Sequence, residues 1–219
     1  MALIDLSHPL EDGVHTYPNL PAPKISDYRT HAETAPDYAP GVGFHFGKVE
    51  MLGNTGTWVD APYHRYEDGA DLAELPLERL ADLDALVLRP DLSRGPAIGP
   101  ELFRGQRLRG RAVLVVTGWS RHWATPTYAA GGHPFLTRAA AEALLEGGCA
   151  FLGVDALNVD DTDDGERPVH SLLLAEGVPI GEHFTNLDAL PTEGARLHAA
   201  PVKARGLGTF PVRAYAVLR

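Results

Sequence analysis

Cysteine is almost missing from this 219-residue chain: Cys149 stands alone. One thiol excludes an intrachain disulfide and any zinc cage of clustered cysteines. Its surroundings, Gly148-Cys149-Ala150-Phe151-Leu152, are apolar, so it reads as a small buried hydrophobe rather than an activated nucleophile. Basic residues are also scarce. Nineteen Lys and Arg stand against 29 Asp and Glu, a formal net charge of −10. With no local basic run, this excludes a nucleic-acid partner and an anionic membrane surface, both of which need clustered cations. No window approaches the eighteen apolar residues of a membrane span, and the first residues lack the basic and apolar regions of a secretory leader. The expectation is a cytoplasmic protein acting on a small molecule. There is no Gly-x-Ser-x-Gly elbow, no phosphate-binding glycine loop and no dinucleotide fingerprint. The acidic run from Asp160 to Glu166 lacks the full calcium-loop pattern and reads as a solvated loop.

The length suits a single domain over 1–219. Residues 3–6 read as a first strand. The stretch that follows, to Pro40, holds Pro9, Pro18, Pro21, Pro23, Pro36 and Pro40, a density that forbids a long helix and favours extended chain and turns. Tyr17, Tyr28 and Tyr38 are interleaved with these prolines, so residues 7–40 are expected to pack on the body or on a neighbouring subunit. Apolar/polar alternation predicts one or two strands over 42–52, and a helical turn is expected over 75–80. Buried-type strands are predicted over 85–88, 112–117 and 150–154. Between the last two, Thr137 caps a helix running through Glu146 and ending at Gly147-Gly148. A short helix over 171–175, a strand at 179–180 and a closing strand over 210–218 complete the reading.

Polar chemistry is densest in Asn54-Thr55-Gly56-Thr57-Trp58-Val59-Asp60-Ala61-Pro62-Tyr63-His64. In extended chain, Asn54, Trp58, Asp60 and His64 share one face. A carboxylate and an imidazole four residues apart can serve as metal ligand and general base. An equally simple reading is a turn Asp with a His that only hydrogen-bonds it. His8 reads as a structural histidine, His133 as structural or exposed, and His45 as facing water or a subunit. His183 follows Glu182 directly and on a strand points to the opposite side. Trp119 and Trp123, on a loop after a strand, either line a pocket or cover the core.

The segment resembles the signature His-x-Gly-Thr-His-x-Asp-x-Pro-x-His of the cyclase family of hydrolases, which includes kynurenine formamidase and isatin hydrolase. Gly56, Thr57, Asp60, Pro62 and His64 match it, and Asn54 and Trp58 stand where its two earlier histidines belong. Asp5-Leu6-Ser7-His8-Pro9-Leu10 resembles the family's opening, Thr117-Gly118-Trp119 its central turn, and Gly153-Val154-Asp155 its Gly-x-Asp strand end. The stretch from His170 through Glu182 to Asn186-Leu187 resembles its late motif. These motifs span almost the whole chain.

The resemblance implies an α/β fold, a swivelling β/β/α domain with a mixed, barrel-like sheet and short peripheral helices, assembled as a homodimer or homotetramer. It also implies a divalent-metal site. Trp58 cannot ligate, because the indole nitrogen is only a donor, and Asn54 offers a hard, weak amide oxygen. Asp60, His170 and Glu182 remain as a ligand set for one ion, manganese or zinc, the other outcome being no metal. His64 and Asp60 are the catalytic candidates. Asn54, Thr57, Trp58 and Trp119 are the substrate-binding candidates, Trp58 as a flat wall, with Asn54 and Thr57 as donors to an oxyanion. The expected activity is hydrolysis of a small amide or cyclic amide. A metal-independent lyase, isomerase or cyclase working by His/carboxylate proton transfer is one alternative, and a non-catalytic binding protein the other.

Overall fold

A computed structural model describes residues 2–218 of the chain. The strands are β1 (Ala2–Asp5), β2 (Lys24–Arg29), β3 (Phe46–Glu50), β4 (Trp58–Asp60), β5 (Leu83–Leu88), β6 (Ala97–Ile98) and β7 (Ala112–Val115), followed by β8 (Phe135–Leu136), β9 (Phe151–Val154), β10 (Ile180–Glu182), β11 (Ala195–His198), β12 (Thr209–Pro211) and β13 (Tyr215–Leu218). The helices are α1 (His31–Thr34), α2 (Arg138–Glu146) and α3 (Pro168–Ala175).

Nine strands form one mixed, half-barrel sheet in the order β1-β13-β11-β5-β7-β9-β10-β4-β12. The central strands β5, β7, β9 and β10 are parallel, and antiparallel strands flank them. Parallel strands are covered on both faces, so they read as unbroken apolar runs; β7, Ala-Val-Leu-Val, is buried at every position. On one face Val113, Val115, Leu152 and Val154 pack with Leu144 of α2 and Leu173 of α3. On the other, Ala112, Leu114 and Phe151 pack with Val59, Phe184 and Leu197.

Helix α2 forms where its sequence predicts. The Thr137 side chain accepts from the Ala140 backbone N–H, Ala140, Ala141 and Leu144 make the buried stripe, and the chain leaves the helix at Gly147. Helix α3 begins three residues before the expected 171, because Pro168 at its first turn needs no N–H partner there. The closing strand expected over 210–218 is two strands. Thr209–Pro211 pairs with β4 and Tyr215–Leu218 pairs with β1 and β11, so the chain changes partners between them. The 7–40 segment contains no long helix. Its β2 strand pairs with β3 as a separate two-stranded sheet on which Ile25, Tyr28, Phe46 and Val49 are exposed. Residues 1 and 219 of the expected 1–219 domain lie outside the described residues.

Candidate active site

The motif Asn54–His64 crosses the sheet only briefly. Trp58, Val59 and Asp60 form β4, with Asp60 opposite Ile180 and Trp58 opposite Glu182. Pro62 then turns the chain into a 3-10 turn over Pro62–His64, so His64 reaches the site from that turn rather than from a strand. The turn is clamped by the chain entering β12. The Ala61 N–H donates to the Gly208 carbonyl at 2.7 Å, and a Cβ on Gly208 would lie 2.5 Å from the His64 nitrogen and 2.6 Å from its Cα. Only glycine allows that approach.

Asp60, His170 and Glu182 meet although β4, α3 and β10 carry them. All three are buried, and one ligand atom from each lies within 4.8 Å of the others. The His170 Nε2 atom is 3.7 Å from Asp60 Oδ2 and 3.8 Å from Glu182 Oε1, both longer than hydrogen bonds. Glu182 Oε1 accepts from the Val159 N–H at 2.6 Å. Asp60 divides its oxygens: Oδ1 accepts from the Trp58 indole N–H at 3.1 Å, whereas Oδ2 is buried with no hydrogen-bond partner. A buried carboxylate oxygen without a donor costs about 1–3 kcal/mol or more, so this atom points to a cation as its missing partner.

The second partner of His170 is Asp160. Its carboxylate accepts from the Val169 N–H at 2.7 Å, the His170 N–H at 3.1 Å and His170 Nδ1 at 2.7 Å. It thus fills the first turn of α3 with negative charge and fixes the imidazole so that Nε2 faces the other carboxylates, an arrangement typical of ligating histidines. Burial alone would lower the pKa of His170. Its hydrogen bond to Asp160, and the negative charges of the nearby Asp60 and Glu182, outweigh burial and raise it to about 10. Burial and the nearby Asp60 push Glu182 upward against the pull of His170. Three carboxyl groups around one imidazole form a cavity with a deficit of positive charge. The donor set, its burial and the unpartnered Asp60 Oδ2 fit a single divalent cation.

Above this cluster lies a cavity of about 290 Å³, walled by Tyr17, Leu20 and Trp58 and edged by His64. His64 is partly exposed, with Nε2 3.9 Å from Asp60 Oδ1. Asn54 also reaches the cavity, where its Oδ1 accepts from the Thr209 hydroxyl at 3.2 Å. Of the substrate-binding candidates, therefore, Asn54 and Trp58 lie at the site, and two do not. Thr57 donates its hydroxyl to the His183 carbonyl at 2.6 Å and accepts from the His8 N–H at 3.0 Å; it cannot serve as an oxyanion donor. Trp119 donates its indole N–H to the Tyr128 carbonyl and packs on the core. Trp58 is fully buried, so it presents an edge of the wall and not an open platform.

His183 is buried, its Nε2 2.8 Å from the Leu157 carbonyl, and burial lowers its pKa to about 3. His133 is buried with Nε2 3.0 Å from the Asp160 carbonyl. His8 stacks on Trp123 with ring centroids 4.0 Å apart, and its buried Nε2 has no hydrogen-bond partner. His45 is exposed beside Asp27. Cys149 is buried, which pushes its thiol up to about 12. Two motifs become one structural unit, since the Asp155 carboxylate accepts from the Thr117 N–H and hydroxyl and from the Gly118 N–H. The residue that sequence reasoning misses is Asp160. It is fully buried, although it heads an acidic run that reads as a solvated loop. The one local hint is Pro168, which marks a helix start eight residues later and thus a place for an anion.

Residues 4–161 match the family model described as "Putative cyclase". The match covers more than half of the chain, and the chain belongs to that family. Among its relatives is the kynurenine formamidase of Bacillus cytotoxicus, 28% identical over 213 residues, which are 96% of this chain and 95% of that protein. The kynurenine formamidase of Bacillus cereus matches to the same extent. A solved structure described as a potential metal-dependent hydrolase with cyclase activity superposes with a TM-score of 0.78 at 26% identity, covering 98% of this chain and 96% of that one. Isatin hydrolase A from Labrenzia aggregata has the same fold, with a TM-score of 0.84 at 23% identity over 99% of this chain and 93% of that one.

Proposed function

We propose that this protein hydrolyses the carbon–nitrogen bond of a small amide or cyclic amide, an activity of the kind that kynurenine formamidase and isatin hydrolase are named for. The observation that carries the reading is the buried, unpartnered Asp60 Oδ2 facing His170 Nε2 and Glu182 beneath an open cavity. Asp60, His170 and Glu182 would hold one divalent ion, manganese or zinc, with Asp160 orienting His170 for it. A bound ion supplies Lewis-acid polarisation of the amide carbonyl. His64, at the cavity edge, takes the proton of the attacking water and returns it to the leaving nitrogen. With Oδ1 of Asn54 occupied by Thr209, its Nδ2 is the donor available to the developing oxyanion. Trp58 fixes Asp60 through Oδ1 and, with Tyr17 and Leu20, keeps the reacting end dry.

The chain acts as one domain, and among the described residues no helix is long and apolar enough to cross a membrane. The exposed apolar residues of the β2–β3 sheet support a homodimer or homotetramer. The test of the activity is hydrolysis of formanilide and isatin by purified protein loaded with manganese or zinc. Turnover of at least one, lost in His64→Ala, is expected. Absence of turnover of any aryl amide or cyclic amide by metal-loaded protein would overturn the assignment.

A further inference from the structure

The wall of the cavity carries a hydroxyl whose hydrogen has no acceptor. It belongs to Tyr17, on the proline-rich segment between Thr16 and Pro18. That segment is tied to the signature motif, because the Thr16 hydroxyl accepts from the Gly56 N–H at 3.2 Å. Two buried side chains hold the phenol in place. Its ring meets Trp58 edge-on, with centroids 6.2 Å apart, and stacks against His183 at 6.1 Å. Burial, and then the charges of Glu182 and Asp60, keep its pKa above the ordinary value of about 10 against the pull of Arg167 and Asn158. The phenol is therefore protonated at neutral pH, and it lies within reach of the charges on the cavity floor.

The direction of the hydroxyl hydrogen follows from Asn158. Its Oδ1 accepts from the Asp160 N–H at 2.9 Å and from Arg167 at 3.5 Å. A backbone N–H can only donate, so this bond fixes which end of the amide is oxygen. Nδ2 is then the end that faces Tyr17, and it donates to the phenol oxygen at 3.4 Å. A phenol hydrogen lies near the ring plane, on one side of the oxygen or the other. With Asn158 donating on one side, the O–H turns to the other. Among the described residues nothing there accepts it. Two neighbouring donors, in contrast, are spent: Trp58 gives its indole N–H to Asp60, and Thr57 gives its hydroxyl to the His183 carbonyl. Tyr17 keeps its donor for a ligand, and the strong acceptor of an amide is its carbonyl oxygen.

We propose that the Tyr17 hydroxyl donates to the carbonyl oxygen of the bound amide, with Asn158 as the positioning residue that turns it there. The inference rests on the amide-hydrolase reading of the same cavity and gives the developing oxyanion a second donor besides Asn54. The bond strengthens as the carbonyl oxygen gains negative charge, so it acts mainly in the transition state.

The test is infrared difference spectroscopy of acetanilide, isotopically labelled at its carbonyl and bound to the metal-loaded protein. Tyr17→Phe keeps the ring and removes only a hydroxyl whose one protein partner is Asn158. The carbonyl stretch of the bound amide is expected to move to higher frequency in this variant. With formanilide, the same variant should lose about tenfold or more in kcat while KM stays within about threefold. Asn158→Asp reads the positioning role. Its carboxylate still accepts from the Asp160 N–H, but it accepts from the phenol as well and draws the O–H away from the cavity. In that background Tyr17→Phe should leave the band unmoved and change kcat by less than about threefold. An unmoved band in the single Tyr17→Phe variant overturns the proposal, whether or not kcat falls, as does a failure of acetanilide to bind. A Tyr17-dependent band without turnover of formanilide or isatin leaves this inference standing and removes the hydrolase reading. Turnover with an unmoved band does the reverse.

Discussion

Replacing Asp160 by Asn tests how the site is built. The carboxylate accepts three hydrogen bonds, from the Val169 and His170 N–H groups and from His170 Nδ1. The amide keeps one oxygen acceptor and sets its NH2 against donors where the second oxygen stood. At least one buried N–H is then orphaned, at about 1–3 kcal/mol, and charge assistance is lost from the others. We expect a total of about 2–4 kcal/mol. For a chain of this length each kcal/mol moves Tm by roughly 2–4 °C, so Tm should drop by about 4–16 °C. The second consequence concerns His170. Without its anionic partner the ring is freed to rotate, and loss of such a partner typically weakens a metal site about 10–100-fold, equivalent to about 1.4–2.8 kcal/mol. Scanning calorimetry of the metal-free protein reads the first effect, and competition with a metallochromic chelator reads the second. A variant that melts within 2 °C of the parent and binds manganese or zinc within about threefold of it would refute the placement of Asp160 beneath His170.

Four further outcomes are expected. Gly208→Ala puts a Cβ 2.5 Å from the His64 nitrogen; displacement of the 62–64 turn should cut kcat/KM about tenfold or more, and unchanged kinetics would show that His64 needs no such placement. Exhaustive chelation should abolish amide hydrolysis, and added manganese or zinc should restore it at one ion per chain; activity that persists in metal-free protein would favour proton transfer by His64 and carboxylates alone. Burial lowers the pKa of His8 to about 4, below the ordinary value of about 6.5. As pH falls, the unfolded chain therefore takes up this proton first, and stability declines from about pH 6.5 to about pH 4. Urea midpoints measured across that range should flatten in His8→Phe, and an identical slope would remove His8 from the account. Finally, Phe46→Asp/Val49→Asp, placed on the exposed β2–β3 sheet, should shift the mass seen by light scattering to that of the 23.6 kDa chain; a parent protein that is already monomeric excludes this face as an interface.

The sequence alone determined those features whose physics is local. The apolar run Ala112–Val115 announced a strand covered on both faces, and the Thr137 cap with Gly147-Gly148 bounded α2, because periodicity, capping and chain reversal involve neighbours in sequence. The Gly56…His64 motif brought Asp60 and His64 to notice, and indole chemistry ruled out Trp58 as a ligand. Tertiary structure decided what depends on partners far along the chain. Thr57 resembles an oxyanion donor until the His183 carbonyl, 126 residues away, takes its hydroxyl. Asp160 looks like part of a solvated acidic loop until the start of α3 buries it and turns it toward His170. A side chain's solvation and hydrogen-bond partners set its chemistry, and here those come from strands and helices whose pairing no local stretch of sequence encodes.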